Sequence, residues 1–131
     1  VWFIEAKYKN DVSESTTNNS TRDQILRNID VGSWYAGVRD FYFALLILDE
    51  LHSPVGVSLL GKYLKSKNDI LLQLPHRPDG LPNLKGMGQL TWDALAEVLS
   101  SCFQTAKRED ERYFAKQAAD WLAKKGIAKT T

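Results

Sequence analysis

Apolar and polar side chains alternate from the start of the chain. In an extended segment Trp2, Ile4, Ala6 and Tyr8 form one apolar face, while Phe3, Glu5, Lys7 and Lys9 point the other way. The pattern predicts a half-buried strand that sets a carboxylate and an ammonium side by side on one surface. Residues 10–20 are polar except for Val12 and read as a loop. Thr21-Arg22-Asp23-Gln24 has the form of a capping box, with Thr21 as N-cap, and predicts a helix to about Ala36. Ile25, Ile29, Gly32 and Ala36 stack on one side of that helix, and Gln24, Arg27, Asn28 and Val31 on the opposite flank.

The run Phe41–Leu48 has no polar alternation and fits a central strand covered on both faces. Ser53-Pro54 opens a helix to about Ser66, with Leu59, Leu60, Tyr63 and Leu64 as its stripe. Residues 70–74 suit either a strand or one helical turn. From Pro75 to Gly88 prolines and glycines interrupt every period, which predicts a loop or a boundary between subregions. Thr91 caps a helix bearing Leu95, Val98, Leu99, Cys102 and Phe103. A last helix starts near Arg108, carries Phe114, Ala118, Trp121 and Leu122, and ends at Lys124-Lys125-Gly126. The layout is α/β at the front and helical at the back.

The chain's 131 residues, 44% of them hydrophobic and 25% charged, suit one folded domain. A net charge of +1 gives no overall basicity, so an anionic partner must be met by a local patch. A lone cysteine, Cys102, excludes an internal disulfide and a zinc cluster of several thiolates, and its place on an apolar stripe predicts a buried thiol. No apolar run has membrane-spanning length and no signal peptide opens the chain, so a cytoplasmic setting is expected. Without such a signal the glycosylation-type triplets at Asn18 and Asn19 carry no weight. The chain opens inside a strand without an initiator Met, as a fragment of a longer protein would.

His52 and His76 lack metal-ligand spacing and are expected in loops, and Gly86-Met87-Gly88 lacks the context of a phosphate-binding turn. Trp34, Tyr35, Trp92 and Trp121 are expected in the core. Lys124, Lys125 and Lys129 are explained by capping of the last helix. Asp11 and Glu14, just past the first strand, read as solvated acids within reach of a metal.

Chemistry concentrates at Glu5-Ala6-Lys7. A carboxylate two residues from an ammonium on one strand face can hold a divalent cation beside a group that polarises a water or phosphate oxygen. Alone, such a triplet is an ordinary surface pair worth about 0.5 kcal/mol. What adds weight is order: acid-x-Lys on a strand, a helix opening with Gln24, then a buried strand.

Residues 1–50 thereby resemble the PD-(D/E)xK nuclease superfamily. The resemblance implies an α/β fold with a restriction-endonuclease-like central mixed sheet flanked by helices, to which the periodicity of residues 51–131 adds a mostly helical C-terminal half. It implies Mg²⁺-dependent hydrolysis of DNA. Glu5 and the Ala6 carbonyl would ligate the metal, Lys7 would orient the attacking water, and Gln24 would support the metal or a phosphate. Lys9, Arg22, Arg27 and Asn28 would contact the nucleic acid. DNA is the expected partner, a second copy of the chain an optional one, and no membrane is involved. Two departures stand out: Asn28 occupies the place where several branches have Tyr, and the family's leading Asp has no counterpart before Val1. The rival readings are a catalytically silent nuclease-fold module and a helical interaction protein. In the latter, Glu5 and Lys7 would not face Gln24.

Overall fold

A computed structural model describes residues 1–17 and 19–128, leaving Asn18 and residues 129–131, Lys129 among them, outside it. The chain divides into two compact units, Val1–Gln89 and Leu90–Thr131. The motif-bearing residues 1–50 lie in the first, together with the two helices that follow them.

The first unit is built on a βαβ crossover. Strand β1 (Trp2–Ala6) leads through a loop to helix α1 (Gln24–Ala36), which returns the chain to β2 (Phe41–Ile47). β1 and β2 pair in parallel, with Phe3 opposite Phe43 and Glu5 opposite Leu45. Helices α2 (Pro54–Lys65) and α3 (Lys67–Leu72) follow, and β3 (Leu84–Thr91) borders β2 on its other side, in the order β1-β2-β3. The three strands form a parallel open sheet, where the resemblance implies a mixed one.

The core forms where α1 and α2 cover one sheet face. Phe41, Phe43, Leu45 and Ile47 alternate along β2 and are sealed by Ile25, Leu26 and Ile29 of α1 and by Leu60 and Tyr63 of α2. Each such side chain, fully removed from water, contributes about 1.5–3 kcal/mol. Gly32 lets α1 approach the sheet closely. A Cβ there would lie 2.6 Å from the Phe41 ring and 3.2 Å from Phe3. Gly37, at φ 61°, closes α1 by donating its N–H to the Ser33 and Trp34 carbonyls. The Asn83 amide accepts from Ser33 Oγ at 2.6 Å and donates to the Ser33 and Gly37 carbonyls, tying the end of α1 to the start of β3.

Several expectations are corrected. The N-cap of α1 is Asp23, not Thr21. The Asp23 carboxylate accepts from Leu26 N at 2.8 Å and from the buried Tyr63 hydroxyl, which leaves the Gln24 side chain free to turn elsewhere. The Pro75–Gly88 stretch contains the start of β3, because backbone pairing beside β2 tolerates Gly86 and Gly88. At Gly86 a side chain would press on Tyr42, 3.3 Å away. Residues 67–72 are helical, so the ambiguous segment at 70–74 begins as the end of α3. Asp11 is a cap, not a solvated acid: it accepts from Val55 N at 2.7 Å and Gly56 N at 2.9 Å at the start of α2. Trp34 and Tyr35 project into solvent instead of the core, because Ile25, Ile29, Gly32 and Ala36 occupy the face turned to the sheet.

The second unit pairs α4 (Trp92–Thr105) with α5 (Glu109–Lys124) in a helical hairpin. Thr91 caps α4 as expected, accepting from Ala94 N. Glu109, Asp110 and Glu111 sit in the first turn of α5, where the helix dipole favours acids. Ala115 and Leu122 are buried, but Val98, Cys102, Phe103 and Trp121 are exposed. Cys102 is therefore not the buried thiol its stripe predicts: two helices alone bury only one narrow seam of each.

Among the described residues no helix is long and apolar enough to cross a membrane.

Candidate active site

β1 presents its charged row, not its apolar one, to α1. Trp2 and Ile4 are exposed on the outer face, where Trp2 stacks on Tyr42 with ring centroids 5.7 Å apart. Phe3, Glu5 and Lys7 lie on the same side as Phe43, on which Phe3 stacks at 6.5 Å. A period of two separates the faces of a strand, but it does not say which face the next helix covers.

Putting Glu5 and Lys7 inward requires partners, and α1 supplies them. Lys7 continues the parallel ladder by donating its backbone N–H to the Leu46 carbonyl at 2.7 Å. Its Nζ lies 3.1 Å from Glu5 Oε1, and the two side chains retain only 10% and 17% of their exposure. Gln24, the first residue of α1, donates from Nε2 to Glu5 Oε1 at 2.7 Å. One turn later, Asn28 donates from Nδ2 to Glu5 Oε2 at 2.6 Å. The i, i+4 spacing brings both amides to one side of the helix. Neighbours fix their orientation: Ser13 N–H donates to Gln24 Oε1 at 3.2 Å, and Arg27 Nη2 to Asn28 Oδ1 at 3.5 Å.

The Glu5 carboxylate thus sits in a cradle of two neutral amides and one ammonium. Among the described residues Oε1 takes two donors and Oε2 takes one, and an oxygen with one donor keeps a lone pair for a hard cation. Mg²⁺ retains several waters and is commonly held by one or two carboxylates plus substrate phosphates. The donor set leaves Glu5 Oε2 as the carboxylate oxygen that would meet such an ion. Among the described residues no three His, Cys, Asp or Glu side chains gather to bind a metal.

Of the other expected contacts, Lys9 is exposed, with its Nζ 5.3 Å from the Tyr8 ring centre. Arg27 is exposed beside Asn28. Arg22 turns away to pair with Asp30 at 3.2 Å, and its Nε is buried without a hydrogen-bond partner. Asn28 belongs to the carboxylate cradle itself.

Asp30 is a buried carboxylate to which the sequence gives no local clue. Asp30 accepts from Arg22, from His76 Nε2 at 2.8 Å and from Arg77 Nε at 2.7 Å, while Arg77 Nη2 also donates to the Asp30 carbonyl. Burial raises the Asp30 pKa, but the hydrogen bonds and charges of Arg77 and His76 more than offset it, holding the carboxyl below its ordinary value. Asp30 lies 46 and 47 residues before these partners, a separation that leaves no local pattern. Tyr63 shows the opposite shift: burial, reinforced by the Asp23 carboxylate, pushes its hydroxyl above its ordinary value.

No family model, curated protein or solved structure matches the chain.

Proposed function

We propose that this chain carries part of the active site of a Mg²⁺-dependent DNA phosphodiesterase with a restriction-endonuclease-like core, working in a cytoplasmic setting. The observation that carries the reading is the closure of the Gln24 and Asn28 amides on the Glu5–Lys7 pair. That closure joins the strand and helix motifs which the nuclease resemblance places together.

In this reading Glu5 Oε2 and the Ala6 carbonyl hold the ion. Once bound, Mg²⁺ lowers the pKa of a coordinated water and offsets charge at the phosphate. Lys7, tethered 3.1 Å from Glu5, orients the water and balances the negative charge that grows at phosphorus. Gln24 and Asn28 hold the carboxylate in one rotamer, so that little reorganisation accompanies ion binding. Lys9 and Arg27, both exposed, are placed to neutralise backbone phosphates.

A second reading is a catalytically silent module of the same fold that binds DNA. It is favoured by the three donors already held by Glu5. Nicking of supercoiled plasmid with and without Mg²⁺ separates the two. The enzyme reading expects Mg²⁺-dependent nicking that is lost in Glu5→Ala and Lys7→Ala. A Mg²⁺-dependent activity that survives both substitutions removes these side chains from the chemistry.

A further inference from the structure

We propose that a groove beside the C-terminal half of α1 binds an unpaired nucleotide, its base stacked on Trp34 and its phosphate held by Arg77. The groove encloses about 400 Å³ and is lined by Asp30, Val31, Trp34, His76 and Arg77. Its wall is the Trp34 indole, 74% exposed, beside Val31 at 54%. A flat aromatic surface left in water next to a fixed cation suits a planar, anionic ligand.

The charge is arranged to match. Two guanidiniums, Arg22 and Arg77, face one carboxylate, Asp30, which leaves one net positive charge before His76 is counted. Arg77 is held rigidly by its bonds from Nε and Nη2 to Asp30, and a guanidinium has five N–H donors, so donors remain for a phosphate. The chain as a whole is nearly neutral, so this is the kind of local patch that an anionic partner requires.

Position links the groove to the Glu5 site. Arg27, Val31 and Trp34 are exposed and follow one another at helical spacing, forming a stripe that begins beside Asn28. Six residues of helix separate Asn28 from Trp34, about 9 Å of rise. That is the axial span of two to three nucleotides at ~3.4 Å each. The proposal therefore deepens the phosphodiesterase reading, on which it rests for its substrate, by placing the strand along this stripe.

The test is fluorescence anisotropy of labelled single-stranded oligothymidylate, titrated in EDTA with wild-type protein, Trp34→Ala, Trp34→Phe and, as a control in the other unit, Trp121→Ala. Circular dichroism checks folding; Trp34 is exposed enough for its replacement to leave the core intact. Trp34→Ala should weaken binding by about ten-fold. Trp34→Phe should recover most of that loss, and Trp121→Ala should match wild type. The proposal is overturned if wild type fails to bind the oligonucleotide, as it would if the groove served a peptide, or if Trp34→Ala binds as tightly as wild type. If Trp34→Ala weakens binding while nicking does not depend on Glu5, the stacking site stands and the phosphodiesterase reading falls. If nicking depends on Glu5 while Trp34→Ala binds normally, the stacking site alone falls.

Discussion

Two carboxylates are held against α1, Glu5 near its start and Asp30 at its middle, and different donors satisfy them. Glu5, at the N-terminal end, is held by two neutral amides and one ammonium. Asp30, further along, is held by two guanidiniums and an imidazole. Amides satisfy hydrogen bonds without cancelling charge, so a single cation, Lys7, offsets the Glu5 carboxylate and the pair is net neutral. Guanidiniums do both, so the surroundings of Asp30 repel a metal ion and favour an anion. One helix thus carries a candidate cation seat and a candidate anion seat, and the choice of donor distinguishes them.

The comparison can be broken by substitution, and the largest effect is expected in activity. Glu5→Ala and Lys7→Ala should each lower Mg²⁺-dependent plasmid nicking by about 100-fold or more, the scale on which loss of a preorganised electrostatic group is felt. Asp30→Asn should leave Mn²⁺ binding at Glu5 within about two-fold, because Asp30 makes none of the hydrogen bonds that cradle Glu5. Its cost should appear in stability instead. Removing one partner of a buried ionic network strands the others, and urea denaturation should show a loss of about 3 kcal/mol.

Acid should sharpen the contrast. The Asp30 pKa lies lower in the folded chain than when unfolded, so the folded state gives up its proton more readily. The resulting stability is fully present above the ordinary carboxylate pKa of about 3.9 and is lost as pH falls through the lowered folded value. Urea midpoints for wild type should therefore fall below about pH 4, and the drop should be shallower in Asp30→Asn. A smaller effect concerns the surface on which both seats depend. Gly32→Ala forces a methyl group into the Phe41 ring and should cost about 1–3 kcal/mol without changing the pH dependence.

The sequence discloses the Glu5 site better than the Asp30 site for a geometric reason. Glu5 and Lys7 are related by the period of a strand, and Gln24 and Asn28 by one turn of a helix, so each pair is visible locally. The βαβ order then brings the two pairs together. Asp30 meets His76 and Arg77 only through the path of α2, α3 and the loop after them, which no spacing encodes. Which face of β1 turns inward was also hidden. The apolar row Trp2, Ile4 and Ala6 looks like the buried one, yet a charged row is stable beneath α1 once Gln24 and Asn28 satisfy it. The helix starts at Ser53, Thr91 and Arg108 were legible, and that of α1 was displaced by two residues. Thr91 caps α4 as its pattern predicts, but Asp23 displaces Thr21 because the Tyr63 hydroxyl also bonds its carboxylate. β3 was masked by Gly86 and Gly88, which supply no side-chain pattern although their backbone can pair.

The account turns on whether Glu5 seats a divalent cation, and calorimetric titration with Mn²⁺ in place of Mg²⁺ tests this directly. Wild type should bind one ion with an affinity that Glu5→Gln, which keeps the shape of the side chain and removes its charge, abolishes. Equal binding by the two proteins, or none by wild type, would contradict the account.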